Sequence, residues 1–483
     1  MCATAAAVWL ALSTAPASAQ VEVRSLTKLD LFSAGRDAGF GADVWKGSSA
    51  DIARAVIPTL ATRPLSPAGM SLARRLLAQS ATAPDDAGSD ADLAAARAKA
   101  LLALGEAPLV DDIVNHTPNL SQNAPLSQAA AEAALDLSND DKACAIGEAV
   151  TSGRGGLYWV RLRAYCQAVA GKTGEAQLTF TLAGQQAKDP VLARLMAALI
   201  NGGDAGPASL RTGLEYALSR RLKLDLAPAL AGANPAVADQ VSAALAAAPA
   251  NPPAATSTPA PAPAPSEAEM IAALRSAKSF SAFVAAAKQA KPVIAALVQT
   301  KAPIGDAVLE ASAALAAGDV DDAQAIRAVL ALPNAHPVDP ADLAILDAAL
   351  AAAVGKPDAP TLDQLIDRGG VGDAKSRGRA QAAAAVFAGL GGDISDAARA
   401  QFAGFDLGRG DAGAAKALVM ETDADAGRVG ETVLLALSIA EGGGAAGPAP
   451  ADRARIIRAL AQVGRKADAQ AFAVEGLLIL EVR

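Results

Sequence analysis

The chain has 483 residues, too many for one compact core, and 52% of them are hydrophobic although only 3% are aromatic. Alanine carries the difference; as the residue with the best helix propensity it predicts an all-α protein and disfavours sheets. The net charge is −8, and basic residues arrive singly or in short pairs such as Arg74-Arg75 and Arg220-Arg221. That distribution excludes a phosphate-tracking surface, so nucleic acid is not an expected partner.

In chain order, Met1 to Leu12 is an uncharged apolar run followed by small residues ending Ala17-Ser18-Ala19. The pattern fits a secretory signal at 1–19 with cleavage before Gln20, although no Lys or Arg precedes the apolar run. A short core helix explains the apolarity but not the helix-poor ending. No later segment reaches about 18 uninterrupted apolar residues, so no integral membrane segment is expected in the mature chain. Residues 20–47 read as irregular, with Val21 to Arg24 as a short extended piece.

Helix signals then recur. Ser48-Ser49 caps Ala50 to Leu60, and Ser66-Pro67 opens Ala68 to Gln79. Leu93 to Leu104, Leu126 to Leu137, Tyr158 to Ala170 and Gly174 to Ala187 continue the series. Pro249 to Pro265 contains seven prolines and cannot be a helix interior, so it reads as an extended spacer. Beyond it, helices are expected at Ser266 to Ala277, Ser279 to Gln289, Ile304 to Ala317, Asp321 to Leu332 and Pro340 to Val354. Others follow at Ala374 to Leu390, Ser395 to Phe402, Ala412 to Met420, Gly430 to Ala440, Pro450 to Val463 and Lys466 to Leu480. Short helices with short connections pack as antiparallel hairpins. The expected organisation is a helical-repeat domain at 48–248, a Pro/Ala-rich linker at 249–265 and a second helical-repeat domain at 266–483.

Two cysteines remain after the signal, Cys144 and Cys166, on what read as neighbouring helices around a turn at Thr151 to Gly156. An oxidising compartment would join them as a disulfide, worth roughly 3 kcal/mol in the chain-entropy model; two buried free thiols are the alternative.

Catalytic patterns are scarce. His116 and His336 sit in proline-bearing loops with no second histidine at helical spacing to share a metal. Gly171-Lys172-Thr173 lacks the glycine five positions earlier that a phosphate loop needs, where Cys166 stands. Gly442 to Gly447 matches a dinucleotide fingerprint formally, but it follows a helix and leads to Pro448. The pairs Asp111-Asp112, Asp140-Asp141 and Asp321-Asp322 lie near helix starts, where the helix dipole accounts for them. The expectation is a protein without enzymatic activity, cofactor or metal.

One turn recurs. Gly171-Lys172-Thr173-Gly174-Glu175-Ala176-Gln177, Gly318 to Gln324 and Gly464 to Gln470 share glycine, three residues, an acid, Ala and Gln. Glycine ends one helix in a left-handed cap, and the small alanine sits where the next helix crosses close. This turn resembles that of the tetratricopeptide repeat. Trp159 and Leu162 before the first copy, and Phe180, Ala183 and Pro190 after it, extend the resemblance, while Cys166 stands where that family has an aromatic. The resemblance implies two solenoid arms of stacked hairpins, each with a concave groove for protein segments. Tyr158, Trp159, Arg161 and Tyr165 are the candidate contact residues, because aromatic and Arg side chains are typical interface anchors; the alternative role for them is packing inside the hairpin. The function expected is a periplasmic binding scaffold or accessory subunit of a cell-envelope machine such as a motor, pilus, secretion or polysaccharide-export assembly. Its partners would be envelope proteins. A subunit self-assembling as a homo-oligomer into a ring or filament, and a peptidoglycan-active enzyme, are the other readings.

Overall fold

In this computed structural model residues 31–60, 62–247, 266–332, 337–408, 410 and 412–482 are described. The expected signal at 1–19, the piece at 21–24, the spacer at 249–265 and His336 lie outside them. Among the described residues the structure is all-helical, with extended pairing limited to the isolated bridges Arg36–Gln79 and Ser49–Asp85.

The helices before the spacer are α1 (Ala50–Val56), α2 (Pro67–Ala78), α3 (Ala91–Ala103), α4 (Ala107–Asn115), α5 (Ala124–Asp136), α6 (Asp140–Ala149), α7 (Leu157–Val169), α8 (Thr173–Gln186), α9 (Pro190–Asn201), α10 (Gly213–Arg221) and α11 (Pro235–Ala247). After it come α12 (Glu267–Arg275), α13 (Phe280–Thr300), α14 (Ala307–Ala316), α15 (Val320–Val329), α16 (Pro340–Ala353) and α17 (Ala359–Arg368). The last six are α18 (Ala374–Ala388), α19 (Asp396–Ala403), α20 (Ala414–Asp425), α21 (Val429–Gly442), α22 (Pro450–Gln462) and α23 (Lys466–Val482). Short polar side chains start many of them. Ser66 accepts from the Gly69 amide, Asp90 from Leu93 and Asp189 from Leu192, and Ser266 with Glu269 closes a reciprocal capping box.

The repeat is more regular than the three matching turns suggest. Helices α3, α5, α7 and α9 begin 33 residues apart, at Ala91, Ala124, Leu157 and Pro190. Left-handed residues at Gly105, Ser138 and Gly171 turn each of the first three into its partner helix at the same interval. Beyond the spacer the turns at Gly318, Gly355, Gly391, Gly427 and Gly464 are all left-handed and fall 36 or 37 residues apart. Five positions after six of these turns stands a buried residue: Val110, Ala143, Ala176, Ala323, Thr432 and Ala469. A left-handed turn reverses the chain, and that residue then packs against the helix just completed.

Two features organise the packing. Helix α23 lies against α14, α16, α18, α22 and α2, with Phe472, Ala473, Leu477 and Leu478 buried, so the inner side of the later hairpins is occupied by the chain itself. The segment 31–78 is also bound to the last helices. Trp45 packs over Gly430, and the Gly430 amide donates to the Val44 carbonyl at 2.8 Å. Glu431 takes the Ser49 amide at 3.2 Å, Glu441 takes the Thr62 hydroxyl at 3.0 Å, and Arg75 pairs with Asp468. One apolar cluster accordingly joins Phe32, Trp45, Ile57 and Leu76 to Leu346, Phe387, Leu460 and Phe472. A second, separate cluster belongs to α5–α7, α9 and α10.

Candidate binding groove

The four aromatic and Arg candidates sit in that second cluster. Trp159 and Tyr165 are buried, the Tyr165 hydroxyl donates to Asp140 at 2.9 Å, and Arg220 and Arg221 bind the same carboxylate at 2.5 and 2.9 Å. Arg161 is spent within the hairpin, on the Ala187 carbonyl at 3.4 Å and near Asp189 at 3.7 Å. Tyr158 is half-buried, stacked edge-on against Trp159 with centroids 5.0 Å apart. Geometry thus assigns Trp159 and Tyr165 to packing, because a side chain sealed between α6, α7 and α10 offers no face to a partner. Cys144 of α6 and Cys166 of α7 have their sulfurs 1.97 Å apart, at bonding distance.

Beneath Tyr158 lies an acidic interior. Glu132 accepts the Gly213 amide at 3.0 Å, and Asp136, fully buried one turn further along α5, has no hydrogen-bond partner for either oxygen. Burial first, and the neighbouring Glu132 charge second, push Asp136 up to about 8. Burial likewise raises Glu132. At neutral pH the Asp136 carboxyl therefore favours its protonated form. Among the described residues no cluster of three or more His, Cys, Asp or Glu has metal-binding geometry. His116 is exposed, its Nδ1 2.8 Å from the Asp112 carbonyl.

Elsewhere lies an open groove of about 910 Å³ between α18–α19 on one side and α20 and α22 on the other. Its floor is small: Ala385, Ala388 and Gly389 of α18 meet Ala451, Ala454 and Ala459 of α22. A Cβ on Gly389 would stand 2.7 Å from the Ala454 carbonyl, so the two helices touch there. Phe402 and Leu407 add apolar wall. Opposite α18–α19, the exposed Arg455, Arg458 and Gln462 of α22 and Glu421 and Asp425 of α20 together form one charged rim. Arg455 faces Glu421 at 3.5 Å and Gln462 bonds to Asp425, whereas Arg458 makes no ion pair among the described residues. Leu418 is 64% exposed and precedes Glu421 and Asp425 at helical spacing, which continues the rim with a bare apolar side chain. Sequence reasoning missed this groove. The available signal was the stripe Ala451, Ala454-Arg455, Arg458, Gln462, small and cationic where a core face would be large and apolar.

The fold and groove define the class as an all-helical chain of left-handed-turn hairpins with an open, small-floored, charge-rimmed groove. Neither a protein-family model, nor a curated protein, nor a solved structure matches this chain.

Proposed function

We propose that the chain is a non-catalytic, exported binding scaffold of a bacterial cell envelope, built from tetratricopeptide-like hairpins in two solenoid regions. The observation that carries this reading is the groove of α18–α22. It is open, apolar at the floor and along the α18–α19 wall and charged along the α20–α22 rim, the surface chemistry that receives a helical protein segment. Its small residues permit close approach of a helix backbone, and its charged rim sets orientation. Support for export comes from the signal-like residues 1–19 and from the bonded Cys144–Cys166 pair, which suits an oxidising compartment. The 33-residue interval of two-helix units, one short of the 34 of a tetratricopeptide repeat, supports a helical-hairpin repeat of that kind.

The test is capture of envelope proteins by the full chain, compared with a Leu418→Asp/Arg458→Glu variant. Both residues are exposed, so the variant folds, as circular dichroism would verify. Loss of the captured protein in the variant is the expected result; unchanged capture removes the groove from the function.

A further inference from the structure

We propose that the occupant of this groove is α8 of a second copy of the chain, so that copies join head to tail. The inference rests on the reading of the groove as a binding site and names its partner.

Helix α8 is covered on one thin stripe only. Ala176 and Ala183 are buried, in a helix that packs on α7 and less extensively on α9, while most of its remaining surface is exposed. On the opposite face Leu178 is 72% and Leu182 56% exposed. These leucines are four residues apart, and Glu175 and Gln185 extend the same stripe at helical spacing. An exposed Leu pair at this spacing is the usual anchor set of a helix that docks in a groove. The helix has 14 residues, about 21 Å at 1.5 Å per residue.

The two surfaces match in kind. The groove has an alanine and glycine floor walled by Phe402 and Leu407, and α8 has two large exposed side chains, Leu178 and Leu182, and no floor to receive them. The charges match as well. Arg458 is the groove cation without an acid partner among the described residues, and Glu175 leads the Leu178 stripe, exposed and accepting a hydrogen bond from Gln167 at 3.4 Å. Seating Leu178 and Leu182 on the alanine floor where α18 meets α22 brings Glu175 to Arg458 on the charged rim, which Leu418 of α20 extends. The donor α8 and the receiving groove are different surfaces, so each copy has one of each to offer. The contact is heterologous: it closes as a ring where the rotation permits and otherwise propagates as an open chain.

Sedimentation equilibrium of the full chain across concentration reads this directly. Wild type is expected to self-associate, and Leu178→Asp/Leu182→Asp, Glu175→Arg or Leu418→Asp/Arg458→Glu should each weaken association about tenfold or more. Glu175→Arg combined with Arg458→Glu in one chain should recover most of the loss. The Leu178→Asp/Leu182→Asp copy keeps an intact groove, and the Leu418→Asp/Arg458→Glu copy keeps an intact α8. Mixed, these two should form a dimer that grows no further. A wild-type chain that stays monomeric up to its solubility limit, or α8 variants that associate like wild type, overturn the proposal. If the chain is monomeric while groove substitutions still abolish envelope-protein capture, only the identity of the occupant is wrong. If groove substitutions alter neither, the binding reading itself fails.

Discussion

Glu475 on the last helix accepts the backbone N–H of Ala68 at 2.7 Å through Oε2 and Arg453 Nη1 at 2.8 Å through Oε1. One carboxylate therefore sits at the positive end of α2 and neutralises a buried guanidinium of α22. Arg453 and Glu475 are both nearly inaccessible, and Arg453 also donates to the Phe472 carbonyl at 3.0 Å.

Replacing Glu475 with Gln should be costly for this reason. The amide can still accept from Ala68, but the buried Arg453 loses its counter-charge, an uncompensated state that costs about 3–5 kcal/mol. Urea unfolding should show the loss. The double variant Arg453→Met/Glu475→Leu should recover a large part of it, because no charge is then left buried.

Gly430 offers a second probe of the same junction. A Cβ there would stand 2.5 Å from Trp45 Cε3 and 2.8 Å from the Val44 carbonyl, and neither neighbour is the free end of a flexible chain. Gly430→Ala should destabilise by about 1–3 kcal/mol through overpacking. The Trp45 fluorescence maximum should move to longer wavelength as segment 31–49 loosens; an unchanged spectrum and midpoint would show that the strap is not tightly held.

Stability should fall as pH rises. Asp136 is pushed up to about 8 by burial and then by Glu132, Glu481 to about 8 by burial and then by Asp342, and Glu310 to about 7 by burial foremost. Each binds its proton more tightly folded than unfolded, so its contribution is complete below about pH 4 and is lost as pH passes through the folded value. The urea midpoint should drop between pH 5 and pH 9. Asp136→Asn should flatten part of that slope, matching wild type near pH 5 and exceeding it near pH 9; a midpoint that rises with pH would contradict the assignment.

Reduction should weaken the region around α6 and α7 selectively. The Cys144–Cys166 bond spans 22 residues of sequence, and its removal by Cys144→Ser/Cys166→Ser should cost roughly 3 kcal/mol. Hydrogen exchange should report the change first in 140–169, with α21–α23 protected as before.

Where helices start and stop was largely legible, because caps such as Ser49, Ser66 and Ser266 act within one turn of sequence. Three matching turns led to the hairpins, but the fuller periodicity stayed hidden. Ser138 takes a left-handed conformation at φ 62° where glycine is the expected residue, and Gly105, Gly355, Gly391 and Gly427 carry different residues after them. Helix α13 was expected to stop at Gln289 yet runs to Thr300, because Pro292 and Lys288, whose carbonyl it leaves without a helical donor, both lie on the exposed face. Helices α4, α9, α10, α11 and α17 were not anticipated; in α10 the buried Glu215 is bound by Arg211 and Ser209, partners that lie before the helix begins. Local rules could not show that 31–78 packs on α21–α23, nor which alanine stripe is left bare. Both depend on contacts hundreds of residues apart.

Those distant contacts bear on how the molecule is made. Trp45, Ser49, Thr62, Ala68 and Arg75 find their partners between Gly430 and Glu475, at the far end of the described helices. The early segment therefore cannot complete its packing, Trp45 included, until residues 430–475 are present to receive it. Vectorial, piece-by-piece maturation is closed to this part of the chain. Its completion is a single late event that depends on the polypeptide reaching α23 intact.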